Sequence, residues 1–244
     1  MKCSHPRLAA FLVLALLGGC IGVSQTRRDS TSTASGAAGA VKSCPKGVRV
    51  ADDGDMDDFE DGNTQLTKMA GRDGYWWTKK DNFGSTVTML PDDGGAGGSE
   101  VAMHFTGITT SGSGDDNWGA GVGVNFVSQS LLYDASKYAG IGFKAKTGAQ
   151  STRQVRFKIG DVNTHPDAKV CTSCWNHFGA DLTLTGGWRQ YDVLFADVQQ
   201  EPGWGAPRPK SVTPGKLVAI DWTIGPGQTY DLWIDDLVLL ECKP

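Results

Sequence analysis

Helical periodicity is nearly absent from this chain of 244 residues. No stretch repeats its apolar residues at three- and four-residue intervals, which excludes helical bundles, coiled coils and alternating strand–helix folds. Catalytic signatures are missing too. There is no Gly-x-Ser-x-Gly elbow, no His-Glu-x-x-His pair and no phosphate loop, and the whole sequence holds only four histidines. Basic residues are outnumbered, 23 Lys and Arg against 27 Asp and Glu. They form no cluster able to displace counterions from a phosphate backbone, so nucleic acid is not expected as a partner. No apolar run approaches the roughly 20 residues that cross a bilayer as a helix.

The one apolar run that exists lies at the start. Lys2 and Arg7 precede Leu8 to Leu17, and Gly18-Gly19-Cys20 follows. A charged start, a short apolar segment and a small-residue cleavage site make residues 1–19 a signal peptide rather than a membrane span. Leu17-Gly18-Gly19-Cys20 resembles the bacterial lipobox, which implies cleavage before Cys20 and a diacylglycerol on its thiol. Residues 20–43 are rich in Ser, Thr, Ala and Gly and too poor in large apolar groups to bury a core, so they read as a flexible tether. Loss of Lys2 and Arg7 leaves 21 basic against 27 acidic residues, a net charge of −6. The expected location is a bacterial cell envelope, at the outer membrane or cell surface, with the membrane contacted through lipid alone, or outside the cell if an ordinary secretory cleavage is used instead.

Four cysteines remain beyond the leader and Cys20: Cys44, Cys171, Cys174 and Cys242. An even number in an exported chain reads as disulfides. Cys44 and Cys242 bracket residues 44–244, and pairing them requires the two ends of that segment to lie side by side. Cys171 with Cys174 would close a tight loop.

Residues 44–244 form one unit of expected all-β class, a two-sheet antiparallel β-sandwich. Val101, Met103 and Phe105 alternate with Ala102 and His104. Ile141, Phe143 and Ala145 do the same, as do Val155, Phe157 and Ile159. Trp188 to Phe195, Leu217 to Ile224 and Tyr230 to Leu240 repeat the theme. A period of two marks a strand with one buried face. Asp92 to Ser99 and Thr110 to Asn117 read as loops. From Trp118 to Phe126 glycine recurs on one face, which marks either close approach of another group or dense packing.

In the last strand Asp236 shares its parity with Tyr230, Leu232, Ile234, Val238 and Leu240. A carboxylate on a buried face is costly unless paired or bound to metal, though a bulge could turn it outward. With Asp58 and Glu60 near the first strand, it makes a hard-oxygen set suited to structural Ca²⁺.

Asp57-Asp58-Phe59-Glu60-Asp61, Gly74-Tyr75-Trp76-Trp77 and Trp233-Ile234-Asp235-Asp236-Leu237 resemble the β-jelly-roll carbohydrate-binding modules near family 11, of the galactose-binding-like superfamily. The resemblance covers about Val50 to Leu240. It implies a jelly roll, a structural calcium near the termini and a sugar groove on the concave sheet.

Sugar recognition needs flat rings for the C–H faces and polar groups for the hydroxyls. Tyr75, Trp76, Trp77, Trp118, Trp175 and Trp204 sit in Gly/Pro/Asp-rich surroundings and suit the first task. Trp188, Trp222 and Trp233 lie in strand patterns and read as core. Asp161, Asn163, Asn176 and His177 supply polar partners around Trp175, whereas Arg156 and Lys158 either meet solvent, the first expectation, or line the groove. His165, Cys171, Cys174 and His177 also form a His-x5-Cys-x2-Cys-x2-His set that could hold zinc if the thiols stayed reduced. Asp115-Asp116, Asp161, Asp181 and Glu201 offer carboxylates to a glycoside hydrolase or lyase, although nothing in the sequence pairs them. The expected function is therefore non-catalytic binding of a polysaccharide or cell-surface glycan by a monomeric, lipid-anchored head. A small jelly-roll hydrolase or lyase, and an adhesin using the fold as a spacer, are the alternatives.

Overall fold

The computed structural model describes residues 40–114, 116–128 and 131–244. The leader, Cys20 and all but the last four residues of the tether lie outside them, as does Asp115. The described strands are β1 (Val48–Asp57), β2 (Trp76–Lys80), β3 (Thr88–Asp93), β4 (Val101–Ile108), β5 (Ala120–Asn125) and β6 (Gly140–Thr147). After them come β7 (Gln154–Asp161), β8 (Phe178–Thr183), β9 (Arg189–Leu194), β10 (Leu217–Ile224) and β11 (Thr229–Cys242). The only helical pieces among the described residues are two three-residue 3₁₀ turns, Pro166–Ala168 and Pro214–Lys216.

The strands form two antiparallel sheets. The first runs β3-β4-β11-β6-β9, with β1 also pairing β11; the second runs β2-β5-β10-β7-β8. Alternation sends one row of each strand inward. Trp76, Val122, Val124, Phe157, Ile159 and Trp222 from the second sheet are buried against Met103, Phe105, Ile141, Phe143, Leu232 and Ile234 from the first. Trp222 is the hub of this core. Its ring stacks on Trp76 at 5.6 Å and takes the edges of Phe143 and Phe157 at 5.1 and 5.2 Å. Each such ring contributes roughly 2–3 kcal/mol on burial. Trp76 is thus a core residue, not a loop platform.

β1 lies antiparallel to β11 with Val48 opposite Cys242, which sets the chain ends together, and Cys44 is bonded to Cys242 across a Cα separation of 5.0 Å. Cys171 is bonded to Cys174, so both thiolates are consumed and the zinc alternative has no sulfur ligands. β3 was not expected, because Pro91-Asp92-Asp93 reads as loop. Proline is tolerated there because β3 is an edge strand.

The parity argument for Asp236 is overturned by a bulge. Register shifts between Asp235 and Val238, Asp236 takes φ +47°, and the buried series resumes at Leu237 and Leu239. Asp236 turns outward and pairs with Lys144. The carboxylate that β11 does bury is Asp235, whose oxygens accept from the backbone N–H of Ala96 and of Asp236, both at 2.7 Å.

Candidate functional site

The outer face of the second sheet is built from the residues that alternate with the core. Register aligns Trp77, Gly123, Asp221, Lys158 and Gly179 in one row across all five strands. A second row holds Lys79, Gly121, Thr223, Arg156 and Asp181. The glycines open the floor. A Cβ on Gly123 would lie 2.5 Å from the Trp77 ring, so the indole occupies the space over β5 that this glycine leaves open. A Cβ on Gly160 would lie 3.1–3.4 Å from the His177 imidazole, which lies flat over β7. Of the two readings of glycine from Trp118 to Phe126, close approach of another group is the one realised at Gly123.

Hydrogen bonds lock this surface. Trp77 Nε1 donates to Asn125 Oδ1 at 2.9 Å. Lys79 Nζ and the Thr223 hydroxyl both donate to Asp221 Oδ1 at 2.7 Å. The Lys79 ammonium also lies 5.8 and 5.7 Å from the Trp77 and Trp118 rings, at cation–π distance. Burial alone would raise the Asp221 carboxyl, but Lys79 and Lys158 outweigh it and hold it below the usual range. Toward β8, Arg156 bonds Asp181 at 2.8 Å and the Gln199 carbonyl at 3.0 Å, with Glu201 at 3.5 Å. These residues and the exposed Trp204 border a cleft of about 580 Å³.

The disulfide loop closes one end of the face. Trp175 is 56 % exposed and holds φ +74°, with its ring 5.3 Å from His165 and 5.8 Å from His177. Its two neighbours do not join it at the surface. Asn176 is buried and clamps the following loop: Nδ2 donates to the carbonyls of Glu201 and Trp204 at 2.9 and 2.6 Å, and Oδ1 accepts from Glu201 N at 2.9 Å. His177 is 5 % exposed, its Nδ1 2.8 Å from the Thr164 hydroxyl. Burial, reinforced by Lys79, Lys158 and His165 against the opposing pull of Asp221, pushes His177 down to about 3, so the ring is neutral.

The other expected residues divide in the same way. Tyr75, Trp77, Trp118, Trp175 and Trp204 all retain exposed surface, and the Tyr75 carbonyl accepts from Asn125 N at 3.2 Å. Asp161 is fully buried and collects Asn163 N, Asn163 Nδ2, the Thr164 hydroxyl and Thr213 N at 3.0–3.2 Å. It ties the end of β7 to the segment before β10, and Asn163 serves that tie rather than the surface. Sequence reasoning missed Lys79, Asn125, Asp221 and Thr223. Of its two readings of Arg156 and Lys158 it put solvent first, and the structure makes both half-buried parts of the same face. Period-two alternation opposite Val155, Phe157 and Ile159 carried the signal; which outer face would hold the rings was not in it.

The calcium set is only partly assembled. Asp58 and Asp236 lie near Asp55, whose carboxyl is raised by burial first and by their charges next. Glu60 turns elsewhere, its Oε1 accepting from the Ser99 hydroxyl at 2.6 Å and from the N–H groups of Glu100 and Val101 at 2.9 Å. Among the described residues no three His, Cys, Asp or Glu side chains gather as a metal site. As placed, Asp58, Glu60 and Asp236 do not fit one ion.

No protein-family model matches the chain, and no curated relative matches it. Solved structures do. The family 11 carbohydrate-binding module of a cellulosomal cellulase of Clostridium thermocellum superposes with a TM-score of 0.52 at 16% identity, covering 78% of this chain and 95% of that one. A module of the same family and organism, in complex with a β-1,3-1,4-mixed-linked tetrasaccharide, gives 0.50 at 16% identity over 74% and 96%. A solution structure of CtCBM11 gives 0.53 at 14% identity over 81% and 97%. At such identities the likeness speaks for the fold, and the fold is a two-sheet β-sandwich like that of the family 11 carbohydrate-binding modules.

Proposed function

We propose that the protein binds a polysaccharide chain along the outer face of the second sheet and releases it chemically unchanged. The observation that carries this reading is the half-exposed Trp77, set against Gly123 beside the polar strip of Asn125, Asp221, Lys158 and Arg156. An exposed indole surface suits a sugar's C–H face, while fixed amide, carboxylate and ammonium groups meet its hydroxyls. Trp118, Trp175 and Trp204 extend the aromatic margin. The solved module that holds a mixed-linkage tetrasaccharide has the same fold, which supports the reading. Non-catalytic binding is supported by the charges. Asp221 is ionised and paired with Lys79, which suits it poorly to donate a proton, and Asp181 and Glu201 are tied to Arg156. The leader and Cys20 support an exported, lipid-anchored head, which puts the glycan outside the cytoplasm.

Affinity electrophoresis of the purified protein through gels of neutral, carboxylated and sulfated polysaccharides tests the proposal. Retardation by at least one polymer, without release of reducing ends or unsaturated uronides, is the expected result. Migration unaffected by every polymer would sink it.

A further inference from the structure

The outer face just described contains one charge that the protein does not use. Lys79 is bonded to Asp221, and Arg156 to Asp181, Glu201 and Gln199. Lys158 sits between them, half-buried, and makes no hydrogen bond or close ion pair among the described residues. It faces Asp221 on one side, in register, but Asp221 Oδ1 already receives Lys79 and Thr223. Gly179 on its other side offers no side chain. Along its own strand the neighbours are Arg156 and the His177 ring over Gly160. A desolvated ammonium with no acceptor is costly and is retained where something else completes it.

We infer that this face reads an anionic group on its glycan, a carboxylate or a sulfate ester, and that Lys158 is the residue that receives it. The inference rests on the proposed glycan reading and narrows its ligand. Over the face Lys79, Lys158 and Arg156 are matched in number by Asp221, Asp181 and Glu201, but those carboxylates are taken up by Lys79 and Arg156, which leaves Lys158 as the cation without an acceptor. Burial, and then Lys79 and Arg156, lower the affinity of Lys158 for its proton, with Asp221 and Glu201 opposing; an arriving anion relieves that penalty. Placement agrees. With strands about 4.8 Å apart, the Trp77 ring over β5 and the ammonium on β7 are separated by roughly 10 Å, so one chain can stack a ring on the indole and present an acidic group to Lys158. A charge-assisted bond at a desolvated ammonium is about twice as strong as a neutral one, which is the source of discrimination.

The test compares polygalacturonate, a sulfated galactan and uncharged hydroxyethyl cellulose as ligands of the purified protein and its Lys158→Met and Lys158→Arg variants. Wild type should bind one anionic polymer at least tenfold more tightly than the neutral one, and which anionic polymer wins identifies the group. Lys158→Met keeps the apolar stem and should lose about tenfold on that polymer and clearly less on the neutral one; Lys158→Arg should retain most of the anionic binding. A net acidic protein repels polyanions at long range, so this gain is local. If the neutral polymer binds as tightly as the anionic ones, or Lys158→Met binds the anion undiminished, the inference falls and the glycan reading stands. If no polymer binds, both fall.

Discussion

The two outer faces of the sandwich carry similar residues and use them differently. On the first sheet, register sets Leu90, His104, Trp233 and Lys146 in one row, with Trp188 just before β9. There the groups satisfy one another. His104 stacks on Trp233 at 3.8 Å with its ring nitrogens 3.1 and 2.9 Å from Asp92 and Asp231; Lys146 lies 4.6 Å from both indoles and donates to the Gly94 carbonyl. On the second sheet glycines stand beside Trp77, which stays half-exposed with Lys79 5.8 Å from its ring, and Lys158 has no acceptor. Tryptophan alone does not make a binding face. An open ring above glycine beside an unspent polar group does.

The largest test of this contrast uses buried titrating groups, one belonging to each sheet. His177 lies on the second sheet and is pushed down to about 3 by burial. Asp57 ends β1 in the first sheet and is pushed up to about 7, also by burial, although Trp76 Nε1 and Phe59 N donate to it at 2.7 and 3.0 Å. The two act with opposite sign. His177 contributes stability that is present above its unfolded value near 6.5 and is lost as pH falls through about 3. Asp57 contributes stability that is present below about 4 and is lost as pH rises through about 7. Each is worth up to about 4 kcal/mol by linkage, so between pH 4 and 6.5 they largely cancel. Urea midpoints of the wild type should therefore change little over that window. Those of His177→Asn should fall as pH rises, and those of Asp57→Asn should rise. Slopes of the same sign in both variants would show that the two burials are not opposed.

Much of this architecture was legible. Leu217 to Ile224 reads as a strand and is β10, and the buried parities of β4, β6 and β7 follow from alternation. Both cysteine pairings follow from export and position. Local pattern fails where a residue's role is set by a distant partner. Trp233 reads as core but faces outward, because alternation fixes that two faces exist and not which is inside. Asn176 and His177 read as groove residues because they flank Trp175, yet the loop at Glu201 and Trp204 and the glycine at position 160 draw them under. For Asp236 two readings stood open, a buried ligand or a residue turned outward by a bulge, and parity alone does not choose between them; the structure shows the bulge.

A middle-sized effect separates the faces by function. Trp77→Ala should cost about 2 kcal/mol of glycan binding, roughly thirtyfold in Kd, because it removes the plate and exposes a hole above Gly123. Its melting temperature should drop only slightly, since one side of that ring already meets solvent. Trp233→Ala should do the reverse: unstacking His104 and Lys146 lowers stability by about 2 kcal/mol, and glycan affinity stays within a factor of two. Isothermal titration with thermal melts of both variants checks the pair. Loss of binding in Trp233→Ala alone would move the site to the first sheet.

The smallest expected change concerns calcium near the chain ends. A saturating ion at about a hundred times its Kd adds roughly 2.7 kcal/mol, which in a domain of this size raises the melting temperature by several degrees. The geometry argues for much less. Glu60 would have to abandon three hydrogen bonds to Ser99, Glu100 and Val101, and Asp236 its pairing with Lys144, before both could join Asp58 on one ion. The first sheet here resembles its own outer face: the acids are spent on protein partners. Scanning calorimetry in excess EDTA and in millimolar Ca²⁺ should therefore differ by less than about 1 °C. A gap of about 5 °C would mean that Asp58 and Asp236, already close enough to raise the Asp55 carboxyl, are drawn together with it by an ion whose binding outweighs those bonds.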